Sequence, residues 1–489
     1  MAKKCRASSD ISVSYRRRPA DSFQIQLNGG DISLGCKLCT AGAKMVLFVT
    51  GQCKTGRFYC PLSEEKKGID GIWANEKLIR PFEGKSESLS RHDLEEIARE
   101  AEEMDALGTG ITGGDPFLYL ARTCQIIRFL KKRFGERHHV HLYTTGIYLE
   151  SCRKKKGRKM EMPVETFSGC NAGCEVPTDE LYTILDNNLM AVADAGLDEI
   201  RFHPPPEFWN YTGLKLYRFL LETARKYNMK AGIEVPALPD KADLLAELIA
   251  GIADCADFIN LNELEFSSTN ALSLKKRGYT IASDISASVK GSKEAAATAW
   301  KNAVFILREK MGKEVAKDNQ HGTSTVDERG VRKIPSLNIH FCSSRFKDTV
   351  QLRRRMLRRA RHIAHPFEYI TNEGTIMVGV IESDNPMVIE DLDSVLALEY
   401  SVPADLRHIE ERKGEMEKEM GSVMEMEMED NANRNKPTKS RVLYLASWIL
   451  QELSEELARR YDVRMYISEV YPTSDRLEVE RIPLHDRKA

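Results

Sequence analysis

Alternation of strand-like and helix-like segments is the feature that most constrains the fold of this chain. Between residues 44 and 345, six or seven short apolar runs alternate with amphipathic stretches of roughly 10–18 residues. Such alternation is typical of a parallel sheet whose strands are joined by right-handed helical crossovers. The number of units predicts an α/β protein with a full or partial parallel (β/α) barrel, to which a smaller α+β region is appended.

Length and composition shifts divide the 489 residues into five predicted parts. Within the barrel, two stretches are longer than ordinary connections and are interpreted as insertions, at 147–178 and 312–333. The parts are a polar N-terminal arm (1–35), the barrel (36–345), a basic helix with the start of the C-terminal region (346–410), a charged Met/Glu-rich linker (411–438) and a C-terminal α+β segment (439–489).

Charge and hydropathy exclude several classes of protein. The formal net charge is −1, so nothing favours nucleic acid or an anionic membrane as a partner of the whole chain. The apolar runs have the length of strands, and no apolar core follows the first basic residues, so neither a spanning helix nor a secretory leader is expected. We therefore expect a cytoplasmic protein, in which clustered cysteines bind metal more often than they form disulfides.

Four of the eleven cysteines are concentrated within 25 residues. Cys53 and Cys60 follow the buried-strand pattern of residues 45–49. Cys36 and Cys39 form a C-x2-C pair, which is the spacing of a zinc knuckle or a cluster half-site. The four thiols together would make a C-x2-C-x13-C-x6-C site for zinc or a second cluster, while the alternative is a set of reduced, partly buried thiols.

The loop that contains Cys53 and Cys60 resembles the cluster loop of radical S-adenosylmethionine (radical SAM) enzymes. Its sequence is V-T-G-Q-C-K-T-G-R-F-Y-C-P-L-S, and the signature of that superfamily is C-x3-C-x-aromatic-C. Cys53 matches the first cysteine, Tyr59 the aromatic residue and Cys60 the last cysteine, whereas Arg57 stands at the middle position. The resemblance looks closest to archaeal proteins related to pyruvate formate-lyase activating enzyme.

A second motif extends this resemblance over about 36–345. The run T-G-G-D-P at 112–116 resembles the G-G-E-type motif of the superfamily, whose main-chain groups receive the amino group of SAM. The resemblance implies a [4Fe–4S] cluster on Cys53 and Cys60, with Tyr59 against adenine. It also implies contacts to the methionine part by the three residues Gly113, Gly114 and Asp115.

The same resemblance implies a reaction. A cluster held by three thiolates leaves one iron open for SAM. Electron transfer from a donor such as ferredoxin or flavodoxin would then release a 5′-deoxyadenosyl radical, which takes a hydrogen atom from a substrate that the sequence does not identify.

Arg57 conflicts with this reaction, because a guanidinium stays protonated and has no lone pair for iron. Three interpretations are open. The protein has lost radical chemistry but kept the fold, or another cysteine completes the site, or the arginine is a substitution in an otherwise active enzyme. The candidate replacement ligands are Cys36, Cys39, Cys170, Cys174 and Cys342.

Polar residues in other strands are further candidates. Arg201 and His203 alternate along one strand and share a face, where they would hold a carboxylate or the SAM ribose, or else bond to each other across the barrel. Glu234 is a second candidate cofactor contact, because a charged residue in a strand needs a partner or water. Asn262, Glu263 and Glu265 follow the next strand in the same way.

Two alternatives complete the sequence-based hypotheses. The arginine-rich helix over 346–362 would suit RNA or a phosphorylated substrate, although a solvated basic face on a packing helix explains it equally, since the chain as a whole is not basic. The alternative to a radical SAM enzyme is a zinc-stabilised binding protein that uses the same barrel without radical chemistry.

Overall fold

The structure is a computed structural model that describes residues 11–82, 88–146, 179–321, 336–412 and 440–485. The chain divides into two compact units, Met1–Arg355 and Met356–Ala489. The predicted insertion at 147–178 and almost all of the predicted linker at 411–438 lie outside the described residues. In the part of the chain that is described, no helix is both long enough and apolar enough to cross a membrane.

The first unit contains a large sheet and a small hairpin. Its strands are β1 (Val13–Arg17), β2 (Phe23–Leu27), β3 (Lys44–Phe48), β4 (Gly71–Ala74), β5 (Lys77–Pro81), β6 (Gly108–Thr112), β7 (His139–Thr144), β8 (Glu199–Phe202), β9 (Lys230–Ala237), β10 (Phe258–Glu263), β11 (Ile281–Ser283), β12 (Ser286–Val289) and β13 (Leu337–Cys342). Its helices are α1 (Leu34–Thr40), α2 (Arg91–Glu103), α3 (Leu120–Phe134), α4 (Asp179–Asp194), α5 (Tyr211–Lys226), α6 (Ala242–Ile252), α7 (Ala271–Lys276), α8 (Ser292–His321) and α9 (Ser344–Phe346).

Eleven strands form the large sheet, in the order β1-β2-β13-β10-β9-β8-β7-β6-β3-β4-β5. The seven strands from β13 to β3 are parallel to their neighbours in this order. At each edge an antiparallel hairpin extends the sheet, so it does not close on itself. This topology is consistent with a partial barrel, and the α/β class predicted from the alternation of segments is confirmed.

Alternation along each parallel strand separates an apolar face from a polar one. In β8, Ile200 and Phe202 are fully buried in the hydrophobic core, whereas Glu199 and Arg201 point to the other face. The polar face is also buried, which requires every charge on it to be paired or hydrogen-bonded.

The N-terminal arm expected over 1–35 is not irregular where it is described. β1 and β2 pair with each other, and β2 continues the sheet beside β13. Phe23, Ile25 and Leu27 alternate with polar residues and are almost completely buried. This two-residue period is the strand signal, but it is short, and a strand forms here because β13 offers an open edge.

Helix α1 packs on the polar face of the sheet, near the amino ends of the strands. Ser33 caps the helix by accepting a hydrogen bond from the Cys36 amide at 3.3 Å. The Gly35 amide donates to Glu199 Oε2 at 3.3 Å. Because Gly35 has no side chain, the helix backbone can approach the charged groups of β8 this closely.

The second unit is an antiparallel sheet with helices between its strands. Its elements are α10 (Arg353–Ile363, which begins in the first unit), β14 (Tyr369–Ile370), β15 (Ile376–Ser383), α11 (Pro386–Leu398), β16 (Arg407–Arg412), β17 (Ser440–Leu445), α12 (Ser447–Arg460), β18 (Arg464–Val470) and β19 (Glu478–His485). The strand order is β16-β17-β15-β18-β19, with β14 beside β15. Four of these strands and two helices follow the β-α-β-β-α-β pattern of a ferredoxin-like unit.

Two predicted segments have different bounds in the structure. The stretch interpreted as an insertion at 312–333 begins within a helix, since α8 continues to His321. The basic segment over 346–362 consists of a π-helical turn, Lys347–Leu352, followed by α10. Two of its arginines are used within the first unit, since Arg354 donates to the Thr40 carbonyl and Arg355 pairs with Glu76.

Replacement of Gly35 should test the close approach of α1 to the sheet. A Cβ at this position would lie 2.4 Å from Arg201 Nη2 and 2.7 Å from His141 Nδ1. We expect Gly35→Ala to lower the free energy of unfolding by about 1–3 kcal/mol, measured by urea denaturation. Leu34→Ala is the matched control on the exposed side of α1. Equal stability of the two variants would contradict this packing.

Candidate functional site

The candidate site lies where the strands β3, β6, β7 and β8 end. The loop that follows β3 carries the predicted cluster residues. In parallel α/β folds the loops at the carboxyl ends of the strands meet and form the site, so the predicted residues after neighbouring strands are expected to converge here.

The loops after β3 and β6 run side by side. The Gly114 amide donates to the Thr50 carbonyl at 2.6 Å, and the Asp115 amide donates to the Gln52 carbonyl at 2.8 Å. A Cβ on Gly114 would lie 1.8 Å from the Gln52 carbonyl oxygen, so the backbone contact requires glycine. The carbonyl oxygens of Gly113 and Gly114 accept no hydrogen bond from the described residues, and both glycines are partly exposed.

The Asp115 side chain holds this arrangement together. It is 2% exposed, and its carboxylate accepts from the Phe117 amide at 3.1 Å, the Thr144 hydroxyl at 2.6 Å and the Thr145 amide at 3.1 Å. The Thr145 hydroxyl donates to it as well. These bonds fix the end of β7 to the loop after β6 and leave the carboxylate little capacity for a ligand.

The cysteine loop also contacts the segment that follows β10. Asn270 donates from its side-chain amide to the Tyr59 carbonyl at 3.2 Å, and the Thr269 hydroxyl lies 3.4 Å from the Cys60 carbonyl. Cys53 and Cys60 are both partly exposed, and Cys53 Sγ lies 3.1 Å from the Thr55 hydroxyl. The loop is therefore held at β3, β6 and the segment after β10.

Tyr59 and Tyr143 bond to the two ring nitrogens of His203. The Tyr59 hydroxyl lies 2.8 Å from Nε2, and the Tyr143 hydroxyl contacts Nδ1. Burial, together with the charge of Arg57, holds the pKa of His203 well below its usual range, while burial raises the pKa of Tyr143. The group is neutral, and Tyr59, predicted to pack on adenine, has its hydroxyl bound to His203.

Arg57 is a cation in this neutral environment. Its Nε and Nη1 atoms are buried and have no hydrogen-bond partner among the described residues. Burial alone would lower the pKa of Arg57, but neighbouring groups, foremost Tyr143, Tyr59 and Cys53, raise it, so the guanidinium stays charged. The middle position of the motif thus holds a positive charge with two unsatisfied donors.

The described residues do not fit a three-thiolate cluster. The loop supplies the thiols of Cys53 and Cys60, and no group of three or more His, Cys, Asp or Glu side chains in the described ranges is placed to hold a metal ion. Cys36 and Cys39 lie on α1. A zinc ion or second cluster at these two residues gains no support here, and their role as ligands stays a prediction. Of the proposed replacement ligands, Cys170 and Cys174 lie outside the described residues.

Cys36 and Cys342 are surrounded by charged groups of the sheet rather than by the cysteine loop. Both are buried, and burial raises the pKa of each thiol. The electrostatic neighbours of Cys36 are Arg201, Glu234 and Glu199, and those of Cys342 are Lys347, Cys39, Cys36 and Glu234. These thiols are therefore neutral and belong to the polar face below the site.

Arg201 and Glu234 form a buried ion network with Glu199. Arg201 donates to Glu199 Oε1 through Nε at 2.7 Å and Nη2 at 2.5 Å, and to Glu234 Oε2 through Nη1 at 2.7 Å. Its Nη2 also reaches the Ser33 hydroxyl at 3.0 Å. Glu234 accepts further bonds from Asn260 and Asn262 at 3.1 and 3.0 Å. Arg201 and Glu234, which were both predicted to contact a cofactor, thus form an ion pair with each other. Their role in binding a ligand stays a prediction.

The remaining predicted residues after β10 have local partners. Glu263 accepts a bond from the Ser344 amide at 2.8 Å, and Glu265 pairs with Lys347 at 2.5 Å. Glu199 and Tyr143 were not predicted from the sequence. Glu199 precedes Arg201 by two residues on β8, and Tyr143 belongs to a polar two-residue period of its own on β7. Such a period was the available signal for both.

Comparisons with known proteins give one full-length relative. A curated protein of Methanocaldococcus jannaschii, named "putative glycyl-radical enzyme activating enzyme", is 33% identical over 460 residues, which are 93% of this chain and 93% of that protein. A family model described as a domain of unknown function (DUF8061) matches residues 374–484, in the second unit. A solved structure, that of Aspergillus fumigatus Ega3 with galactosamine, is 16% identical over 32% of this chain and 60% of that chain. Its TM-score of 0.21 is too low to support a shared fold.

The buried ion network should make stability depend on pH. Burial alone would raise the pKa of Glu234, but Arg201 and hydrogen bonds from the two asparagines lower it from 4.5 to about 2. A lowered folded-state pKa stabilises the protein above the unfolded value of 4.5, and this contribution is lost as the pH falls through about 2. We expect the natural chain to lose about 3 kcal/mol of unfolding free energy across this window through Glu234.

Glu234→Gln should therefore have a smaller loss of stability on acidification than the natural chain, measured by urea denaturation between about pH 6 and pH 3. The variant is also less stable at neutral pH, because Arg201 loses a charged partner. Glu247→Gln, at an exposed position on α6, is the control. An unchanged pH slope in Glu234→Gln would show that this carboxylate is not stabilised by the network.

Proposed function

Because the chain belongs to the glycyl-radical enzyme activating enzymes, a radical SAM family, we propose that it binds S-adenosylmethionine at the carboxyl ends of β3, β6 and β8. The observation that carries the proposal is the pair of carbonyl oxygens on Gly113 and Gly114, which accept no hydrogen bond from the described residues and lie at the strand end beside the cysteine loop. Carbonyl oxygens in this position suit the ammonium group of an amino acid, which has donors and no acceptor.

The remaining residues of the proposed SAM site surround these carbonyls. Tyr59 would present its ring to the adenine, since its hydroxyl is fixed by His203. Asp115 would hold the loop after β6 in place rather than bind the ligand, because its carboxylate already accepts hydrogen bonds from Thr144 and Thr145. Arg201 and Glu234 would form the charged floor beneath the ligand.

We further propose that the natural chain does not cleave SAM reductively. A [4Fe–4S] cluster, when bound by three thiolates, supplies the electron for that cleavage. Here Arg57 replaces the middle thiolate, and the described residues offer no third donor next to Cys53 and Cys60. The protein would then be a SAM-binding member of the family that lacks the radical step.

A second candidate retains the radical chemistry of the family. The name of the Methanocaldococcus relative favours it, since an activating enzyme of that description acts on a glycyl-radical enzyme. In this case the partners would be a protein substrate and an electron donor such as ferredoxin or flavodoxin. It requires a third ligand from residues that the structure does not describe.

The Arg57→Cys variant decides between the two candidates. We expect the natural chain, reconstituted anaerobically with iron and sulfide, to contain little iron and to release no 5′-deoxyadenosine from SAM on reduction. Arg57→Cys should take up about four irons per chain and become brown, because the third thiolate completes the site. Iron analysis, visible absorption and chromatography of the products are the measurements.

Lys54→Cys is the matched control, since it adds a thiol at an exposed position of the same loop. It should gain neither the cluster nor the cleavage. If the natural chain itself binds about four irons and releases 5′-deoxyadenosine, the second candidate is correct and the proposed loss of the radical step is wrong.

A further inference from the structure

The two unsatisfied nitrogens of Arg57 indicate a missing anionic partner. An ion taken out of water without a counter-ion costs several kcal/mol, so buried guanidinium groups are almost always paired. Nε and Nη1 of Arg57 are both buried and unpartnered among the described residues. These two buried donors therefore have no partner among the residues that the structure describes.

Neighbouring groups do not supply this partner. Tyr59, Tyr143 and His203 are neutral and bond to one another, and Tyr59 also forms a side-chain hydrogen bond with Arg57, but a neutral phenol is not a counter-ion for a guanidinium. Asp115 is the acidic group in electrostatic contact with Arg57, but its oxygens are bound by the threonines at the end of β7 and by the Phe117 amide. No ion pair between Arg57 and an acidic side chain is present in the described part of the chain.

The geometry of the guanidinium narrows the class of ligand. Nε and Nη1 lie on different edges of the planar group, so a ligand that satisfies both has at least two separate acceptor groups. The carbonyl oxygens of Gly113 and Gly114, which accept no hydrogen bond from the described residues, add acceptors for a ligand ammonium at the same end of the sheet. The donors of Arg57 and the two glycine carbonyls are together complementary to the carboxylate and ammonium groups of an amino acid. The second donor of Arg57 would bind a further acceptor on the same ligand, such as a sugar hydroxyl.

We propose that Arg57 is the anchor for the carboxylate of the ligand in this site, in the role that the open iron of a complete cluster would have. The inference rests on the proposed function, in which the ligand is SAM and the carboxylate is that of its methionine part. The substitution of cysteine by arginine then changes the mode of binding from metal chelation to a charge-assisted hydrogen bond, and the ligand is retained.

Comparison of SAM with decarboxylated SAM tests this anchor on the natural chain. Both ligands carry the adenosine, the sulfonium and the amine, and they differ in the carboxylate alone. We expect the natural chain to bind SAM about 10- to 100-fold more tightly in isothermal titration calorimetry, the range of one hydrogen bond to a charged group. This measurement requires no substitution and no iron.

Arg57→Gln should remove the preference. Its affinity for SAM should fall by about 10- to 100-fold, while its affinity for decarboxylated SAM should fall clearly less, because that ligand loses only the bond to the further acceptor. Lys54→Gln, which removes an exposed cation from the same loop, is the control for a general effect of charge and should leave both affinities unchanged. Thermal unfolding followed by circular dichroism identifies a variant that has failed to fold.

Three results separate the possible failures. If the natural chain binds neither ligand, the proposed SAM site is wrong. If it binds both ligands equally, SAM binding stands but Arg57 is not the carboxylate anchor. If Arg57→Gln is folded and weakens both ligands equally, Arg57 supports the shape of the loop and the anchor is again wrong.

Discussion

The ion network of Glu199, Arg201 and Glu234 is the interaction on which the rest of the site depends. The polar face of the large sheet is buried, and three charges on adjacent strands can remain there only because each is paired and hydrogen-bonded. The network joins β8 to β9, and the bond from Gly35 to Glu199 brings α1 onto the same face. With the amino half of this face closed by α1, the carboxyl ends of the strands provide the opening for a ligand.

The cysteine loop covers that opening with fixed contacts. Gly113 and Gly114 allow the loops after β3 and β6 to touch through their backbones, and Asn270 holds the far end of the cysteine loop. Arg57 is partly buried in this arrangement, with its Nε and Nη1 atoms out of contact with solvent. Its burial in an otherwise neutral group makes it the residue whose chemistry decides what the site can do.

Much of this arrangement could be predicted from the sequence. The alternation of segments predicted the parallel strands and their crossover helices, and the two-residue period placed Arg201 and His203 on one face. The strands at 13–17 and 23–27 were missed because a short alternating run becomes a strand only beside an open sheet edge. The pairing of Arg201 with Glu199 and the use of Asp115 by two threonines were also missed, since both depend on which strands become neighbours in space.

In the proposed site, the carboxylate of the ligand pairs with Arg57 where the family signature has a metal-binding thiolate. A crystal structure of the natural chain, reconstituted anaerobically with iron and sulfide and grown with SAM, tests it most directly. We expect SAM at the ends of β3 and β6, its carboxylate bonded to Arg57 and its amine bonded to Gly113 or Gly114, with no cluster at Cys53 and Cys60. An iron–sulfur cluster on these two cysteines, with Arg57 turned away from the ligand, would contradict it.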